Sequence, residues 1–137
     1  MKVQAYLDFD GRCEEALELY KKALGAKVDM MMRNSESPQP HPPGMLPAGS
    51  EKKVMHATFR IGETVLGASD GHCTGKATFK GISLSLHARS DEEAQKMFAG
   101  LAEGGKVSMP LTKTFFSSQF GMVADRFGVS WMVLVDR

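Results

Sequence analysis

At 137 residues, with 42% hydrophobic and 24% charged residues, the chain has the size and composition of one soluble globular domain with a real core. A formal net charge of +1, with both signs interspersed, leaves no basic stripe for nucleic acid and gives no reason to expect strong steering of charged partners. No apolar run is long enough to span a membrane, Met1–Tyr6 lacks the apolar core of a signal peptide, and two cysteines without CxxC spacing fit a reduced, cytoplasmic setting.

Val3 to Phe9 has strand composition and runs into an Asp10-Gly11 turn. Cys13, Ala16, Leu17, Tyr20, Ala23 and Leu24 then fall on one face of a helix, with Glu14, Glu18, Lys21 and Lys22 opposite. Gly25 follows and suits the left-handed residue that ends a helix. Lys27 to Arg33 is a Met-rich strand. Residues 34–53 hold all but one of the chain's prolines and follow neither regular period, so they form a loop, read as a flap over a site or a dimer contact. The ten methionines either fill gaps in the core or form a soft binding surface.

Val54 to Ile61 alternates, with Met55, Ala57, Phe59 and Ile61 on one face and Val54, His56, Thr58 and Arg60 on the other. Gly62-Glu63 is a tight turn, Thr64 to Ser69 a strand, and Asp70 to Lys76 a loop. Gly81 to His87 opens the second half. Ser90 to Glu93 reads as a capping box before a helix whose apolar face is Ala94, Met97, Phe98, Leu101 and Ala102. Gly104-Gly105 ends it. Strands follow at Lys106 to Leu111, Gln119 to Asp125 and Ser130 to Val135, with a loop at Thr112 to Ser118.

The chain repeats itself. Tyr6 to Tyr20 has its counterpart in Leu84 to Phe98, with Glu14-Glu15-Ala16 answered by Glu92-Glu93-Ala94 and Tyr20 by Phe98. Arg60 to Asp70 matches Arg126 to Asp136 at a spacing shorter by about a dozen residues, which removing that many from the proline-rich loop would reconcile. Each half therefore reads strand-helix-strand-strand-strand, over about 1–70 and 80–137.

Tyr20-Lys-Lys-Ala-Leu-Gly25 resembles the FY…LG helix ending of the vicinal oxygen chelate superfamily, and Asp125-Arg-Phe-Gly128 resembles its DPxG hairpin. More narrowly, Tyr6 to Ala16, Met55-His56-Ala57, Ser69-Asp70, Phe120-Gly121 and Asp125 to Met132 resemble the PhnB branch, essentially end to end. The resemblance implies an α+β fold: two βαβββ repeats forming a curved mixed sheet, a cup, with helices on the outer face. It implies a ligand in the cup, and a homodimer. The ubiquinone-methyltransferase description that many such relatives carry finds no glycine-rich nucleotide loop here.

The superfamily's enzymes use a divalent metal held by His, Gln or Glu on the first and last strand of each half. Those places fall here on Ala5 (or Gln4 or Tyr6, one register away), Leu66 or Gly67, Gly81 or Ser83, and Met132. None but Gln4 is a competent ligand for a hard ion, so no metal and no other cofactor is expected. Of four histidines, His41 lies in the proline-rich loop, His72 in a turn and His87 at a strand end. His56 has a cup position, as a lining residue or, paired with Asp70, as an acid–base group. Thr58, Arg60, Met132 and Phe116 are the further candidates for ligand contact. Tyr6, Phe9, Phe115 and Phe116 read as a rim, or equally as core or dimer interface. Arg60 and Arg126 read as an anion site or, more simply, as partners of Asp70 and Asp136. The expected function is binding of an unidentified small molecule, with an enzyme of the same superfamily as the alternative.

Overall fold

Helix α1, Cys13–Leu24, buries Cys13, Ala16, Leu17, Tyr20 and Leu24. Gly25 closes it at φ 67°, with the Gly25 and Ala26 amides turned back onto the Lys21 and Tyr20 carbonyls. The computed structural model that shows this describes residues 1–39 and 41–136. The chain divides into two compact units, residues 1–21 with 25–77, and residues 22–24 with 78–137.

In the first unit, β1 (Tyr6–Asp8), β2 (Lys27–Arg33), β3 (Val54–Ile61) and β4 (Thr64–Ser69) form a sheet in the order β1-β4-β3-β2. In the second, β5 (Leu84–Ala88), β6 (Lys106–Thr112), β7 (Phe120–Ala124) and β8 (Ser130–Val135) form a sheet in the order β5-β8-β7-β6, with helix α2 at Asp91–Ala102. In each, the first strand pairs parallel with the last and every other pairing is antiparallel. Two halves with one topology bear out the repeat and the α+β fold.

Tyr20 joins α1 to its sheet. Its ring stacks on Phe59 at 6.0 Å between centroids and tilts against Phe9 at 6.2 Å, all three fully buried or nearly so. Ala57 and Ala68 share the dry layer. Strict alternation would send Val54 to the face of His56. Instead the register slips between Met32↔His56 and Arg33↔Val54, and Val54 is 1% exposed. In the second unit Ala94, Phe98 and Leu101 of α2 are buried, as are Leu86, Val133, Val135 and Trp131.

Strand ends moved where backbone chemistry overrode composition. β5 starts at Leu84, past Gly81, whose φ of 81° is incompatible with a strand. β1 is confined to Tyr6–Asp8. The capping box is shared differently from expectation: Ser90 Oγ accepts from the Glu93 amide, but the Glu93 carboxylate accepts from the Arg89 amide and guanidinium. The proline-rich segment begins with a 3-10 turn at Asn34–Glu36 and is closed at its neck, where Asn34 Nδ2 donates to the Ser50 carbonyl. Bonds from the Asn34 and Ser35 amides to the Lys53 and Glu51 carbonyls complete the closure.

Candidate functional site

The candidate site lies on the face of the first sheet turned away from α1. Pairing aligns Tyr6 with Gly67, Gly67 with Thr58, and Thr58 with Met30 as one row across four strands. His56, paired with Met32, stands two residues from Thr58 on the same face. Gly67 has no side chain, and the Tyr6 ring fills the space: a Cβ there would sit 2.6 Å from Tyr6 Cδ2. From that seat Tyr6 reaches diagonally to His56. The rings stack at 5.7 Å with 13° between planes, and the Tyr6 hydroxyl lies 3.0 Å from His56 Nδ1. Tyr6 is 53% exposed, so the pair presents a stacked aromatic surface with polar edges to solvent.

Asp70 is elsewhere in purpose. It is 1% exposed, and its Oδ1 accepts from the amides of Gly11 (2.9 Å) and Cys13 (2.7 Å), its Oδ2 from the amide of Val54 (2.7 Å). Arg12, the residue before α1, offers no side-chain cap, so a carboxylate from the end of β4 caps the helix in its place. Both oxygens are spent on backbone amides, while His56 bonds Tyr6. The expected His56–Asp70 acid–base pair is replaced by His56–Tyr6.

The arginines also differ from expectation. Arg60 Nε donates to both carboxylate oxygens of Asp29 at 2.9 and 3.1 Å, across β3 and β2, and not to Asp70. Arg126 lies over the Phe127 ring at 5.3 Å, and Asp136 instead bonds His87. Thr58 is half-buried in the Tyr6 row. In the second unit Met132 is half-buried and paired with Ser85 and Met122, and Trp131 is buried with its indole N–H donated to Asp125 Oδ2 at 2.9 Å. Phe116 is 42% exposed, edge-on to Phe115 and Phe120 at 5.1 Å each.

Strand pairing also fixes the places where the resemblance would put a metal. The neighbour of Gly67 on the first strand is Tyr6, and the neighbour of Met132 is Ser85. Neither pair offers a carboxylate, an imidazole or an amide oxygen, so this donor set does not fit a hard divalent ion. Among the described residues no three His, Cys, Asp or Glu side chains converge as a metal centre.

Cavities lie in the first unit among the described residues. One of about 570 Å³ is bordered by Glu14, Glu15, Glu18, Arg33 and Lys53, and its charges are largely paired within the protein. Arg33 forks onto both Glu14 oxygens at 3.0 and 2.8 Å and holds that carboxyl below its ordinary range, and Lys53 Nζ donates to the Gly11 carbonyl. Another, about 250 Å³, lies within the proline-rich loop beside His41 and Asn34. Loop residues line a cleft of their own, and among the described residues His56 is not part of its lining.

The Tyr6–His56 pair escaped the sequence because it depends on the parallel register of β1 against β4, set by segments far apart in the chain. The available signal was Gly67, a glycine inside a strand, which often marks close approach of another group.

Comparisons with known proteins agree with this architecture. Residues 1–134 match the family model described as 3-demethylubiquinone-9 3-methyltransferase. Protein YjdN of Escherichia coli is 34% identical over 98% of this chain and 95% of its own length. The crystal structure of protein PA1353 from Pseudomonas aeruginosa is 41% identical, covers 99% of this chain and 98% of that one, and superposes with a TM-score of 0.85. A PhnB protein from Bacillus cereus is 29% identical over 98% of this chain and 99% of that one, with a TM-score of 0.81. Structures described as glyoxalase/bleomycin resistance proteins share the fold at 16% and 18% identity, with TM-scores of 0.66 and 0.60. No helix among the described residues is long and apolar enough to cross a membrane. The chain thus belongs to the family described as 3-demethylubiquinone-9 3-methyltransferase, is similar to a PhnB protein, and shares the fold of glyoxalase/bleomycin resistance proteins.

Proposed function

We propose that the protein binds a small molecule on the face carrying Tyr6, His56 and Thr58, without a divalent metal, as a cytoplasmic homodimer. The observation that carries the reading is the Tyr6–His56 pair. Its rings are stacked, hydrogen-bonded and open to solvent, with Tyr6 paired to Gly67 where the resemblance would put a metal ligand. Such a surface suits a planar ligand that stacks on the rings and exchanges a hydrogen bond with the Tyr6 hydroxyl or the free imidazole nitrogen. Met30 and Met32 add a soft, adaptable border.

The family's methyltransferase description does not carry over as an activity. Each helix is entered from its strand through a turn built on Asp10-Gly11 or Arg89-Ser90, which lacks the glycine-rich form that cradles a nucleotide. Native mass spectrometry of freshly purified protein tests the proposal directly. The expected result is a mass of two chains, no metal, and a retained organic ligand that Tyr6→Ala and His56→Ala both release. Stoichiometric zinc, nickel or manganese with glyoxalase-type turnover would refute it.

A second reading is favoured by one contact. With Nδ1 committed to the Tyr6 hydroxyl, His56 Nε2 remains to exchange a proton with a substrate, and Tyr6 stands where Asp70 was expected as the partner of the imidazole. Turnover abolished by His56→Ala with the fold retained supports it; turnover indifferent to that change removes it.

A further inference from the structure

We propose that Ser85, His87 and Asp136 form an acyl-accepting serine site, able to take the acyl group of a small carboxylic ester. Ser85 and His87 are alternate residues of β5, so their side chains leave the same face. Ser85 Oγ lies 3.0 Å from His87 Nε2, and His87 Nδ1 lies 2.7 Å from Asp136 Oδ1. A carboxylate only accepts hydrogen bonds, so Nδ1 carries the hydrogen and Nε2 is left to accept from the Ser85 hydroxyl. Nucleophile, base and orienting carboxylate are linked in the sequence that activates a hydroxyl.

The topology produces this arrangement. β5 runs parallel to β8, with His87 beside Leu134 and Ala88 beside Val135, so the residue that follows β8 arrives next to the imidazole. The side chains of His87 and Asp136 are 49% and 66% exposed, and an ester can reach them. The rows Ser85–Met132–Met122 and His87–Leu134–Phe120 run across the same face. Their half-buried apolar residues give an acyl chain a strip to lie on.

The chemistry balances with water as the only co-reactant. Ser85 Oγ adds to the ester carbonyl carbon while its proton passes to His87 Nε2. The tetrahedral adduct collapses, the C–O bond to the alcohol breaks, and His87 returns the proton to the departing oxygen. Water then hydrolyses acyl-Ser85 by the same exchange, releasing the carboxylic acid. Asp136 is the positioning residue. So exposed a constellation is expected to show itself as acylation of Ser85 ahead of rapid turnover, since fast turnover also needs buried, preorganised oxyanion donors.

The test uses p-nitrophenyl butyrate and the intact protein, following p-nitrophenolate release and mapping adducts by peptide mass spectrometry. The expected result is one butyryl group per chain on Ser85. Ser85→Ala should remove it, and His87→Gln should slow its formation by about a hundredfold or more. Asp136→Asn should slow it by about tenfold or more, with Asp136→Glu, which keeps a carboxylate, in between. Ser85→Cys guards against a folding artefact, because the thiol should carry the acyl group in place of the hydroxyl. Butyryl groups found only on lysines, or on Ser85 at an unchanged rate in His87→Gln, would overturn the proposal.

Discussion

The ring of Tyr6 occupies the space that a side chain at Gly67 would fill. A Cβ on Gly67 would stand 2.6 and 2.9 Å from Tyr6 Cδ2 and Cε2, too close for any real contact. Gly67→Ala therefore expels the ring from its seat. Tyr6 is half exposed and free to swing outward, so the cost to stability should be small, about 1 kcal/mol or less. The cost to the Tyr6–His56 contact should be complete. The expected outcome is a thermal midpoint within a few degrees of wild type, with ligand retention reduced at least as far as in Tyr6→Ala. Undiminished retention would mean that the stacked pair is not the binding surface.

Asp70 should behave as a structural residue. Asp70→Ala strips the acceptor from three amides, those of Gly11, Cys13 and Val54, and removes a negative charge from the start of α1. Buried donors left without partners cost about 1–3 kcal/mol each, though the losses will not simply add. A loss of about 3–5 kcal/mol in urea unfolding is expected, a large share of the stability of an ordinary domain. In protein kept folded at low temperature, binding at Tyr6 and His56 should persist. A variant of normal stability with abolished binding would reverse this assignment.

How much of this could be read in the chain depended on range. β2, β3, β4 and β8 have the bounds expected from the sequence, and α1 ends at Gly25 as its spacing requires, because these patterns are local. The repeat was legible for the same reason. What was not legible is long-range: which amides Asp70 would satisfy, that Arg60 would meet Asp29 across β2, and that Tyr6 would reach His56. Each follows from strand register between distant segments, and the slip before Val54 shows that register resists simple counting. His56 and Thr58 do share one face of the first sheet, but the hydrogen-bond partner of His56 is Tyr6 and not the expected Asp70.

Asp10 predicts part of the acid limb of stability. The Thr74 hydroxyl is the main influence holding its carboxyl below the ordinary value of 3.8, helped by the amides of Thr74 and Lys76 and opposed by burial. Because the folded-state value is lowered, the contribution is present above the ordinary carboxylate range and is lost as pH falls through the lowered value. Thr74→Val removes the hydroxyl. It should cost about 1 kcal/mol at neutral pH, with the gap to wild type closing below about pH 4. Urea midpoints measured from pH 7 downward check this; a gap independent of pH would show that the hydroxyl acts by packing alone.

The two thiols should separate by accessibility. Cys13 is fully buried, and burial, reinforced by the Asp70 charge, pushes its thiol far up; Cys73 is half exposed and raised less, again mainly by burial. The thiolate is the reactive form, so both should react slowly with iodoacetamide at neutral pH. Cys73 should be alkylated first, its rate rising about tenfold per pH unit up to its ordinary value of 9.0 and beyond. Cys13 should react only through unfolding, at a rate that follows urea concentration and that Asp70→Ala accelerates. Peptide mapping at several pH values distinguishes the sites. Early alkylation of Cys13 in the native protein would show that α1 opens locally, and with it the capping contact from Asp70 that holds its first turn.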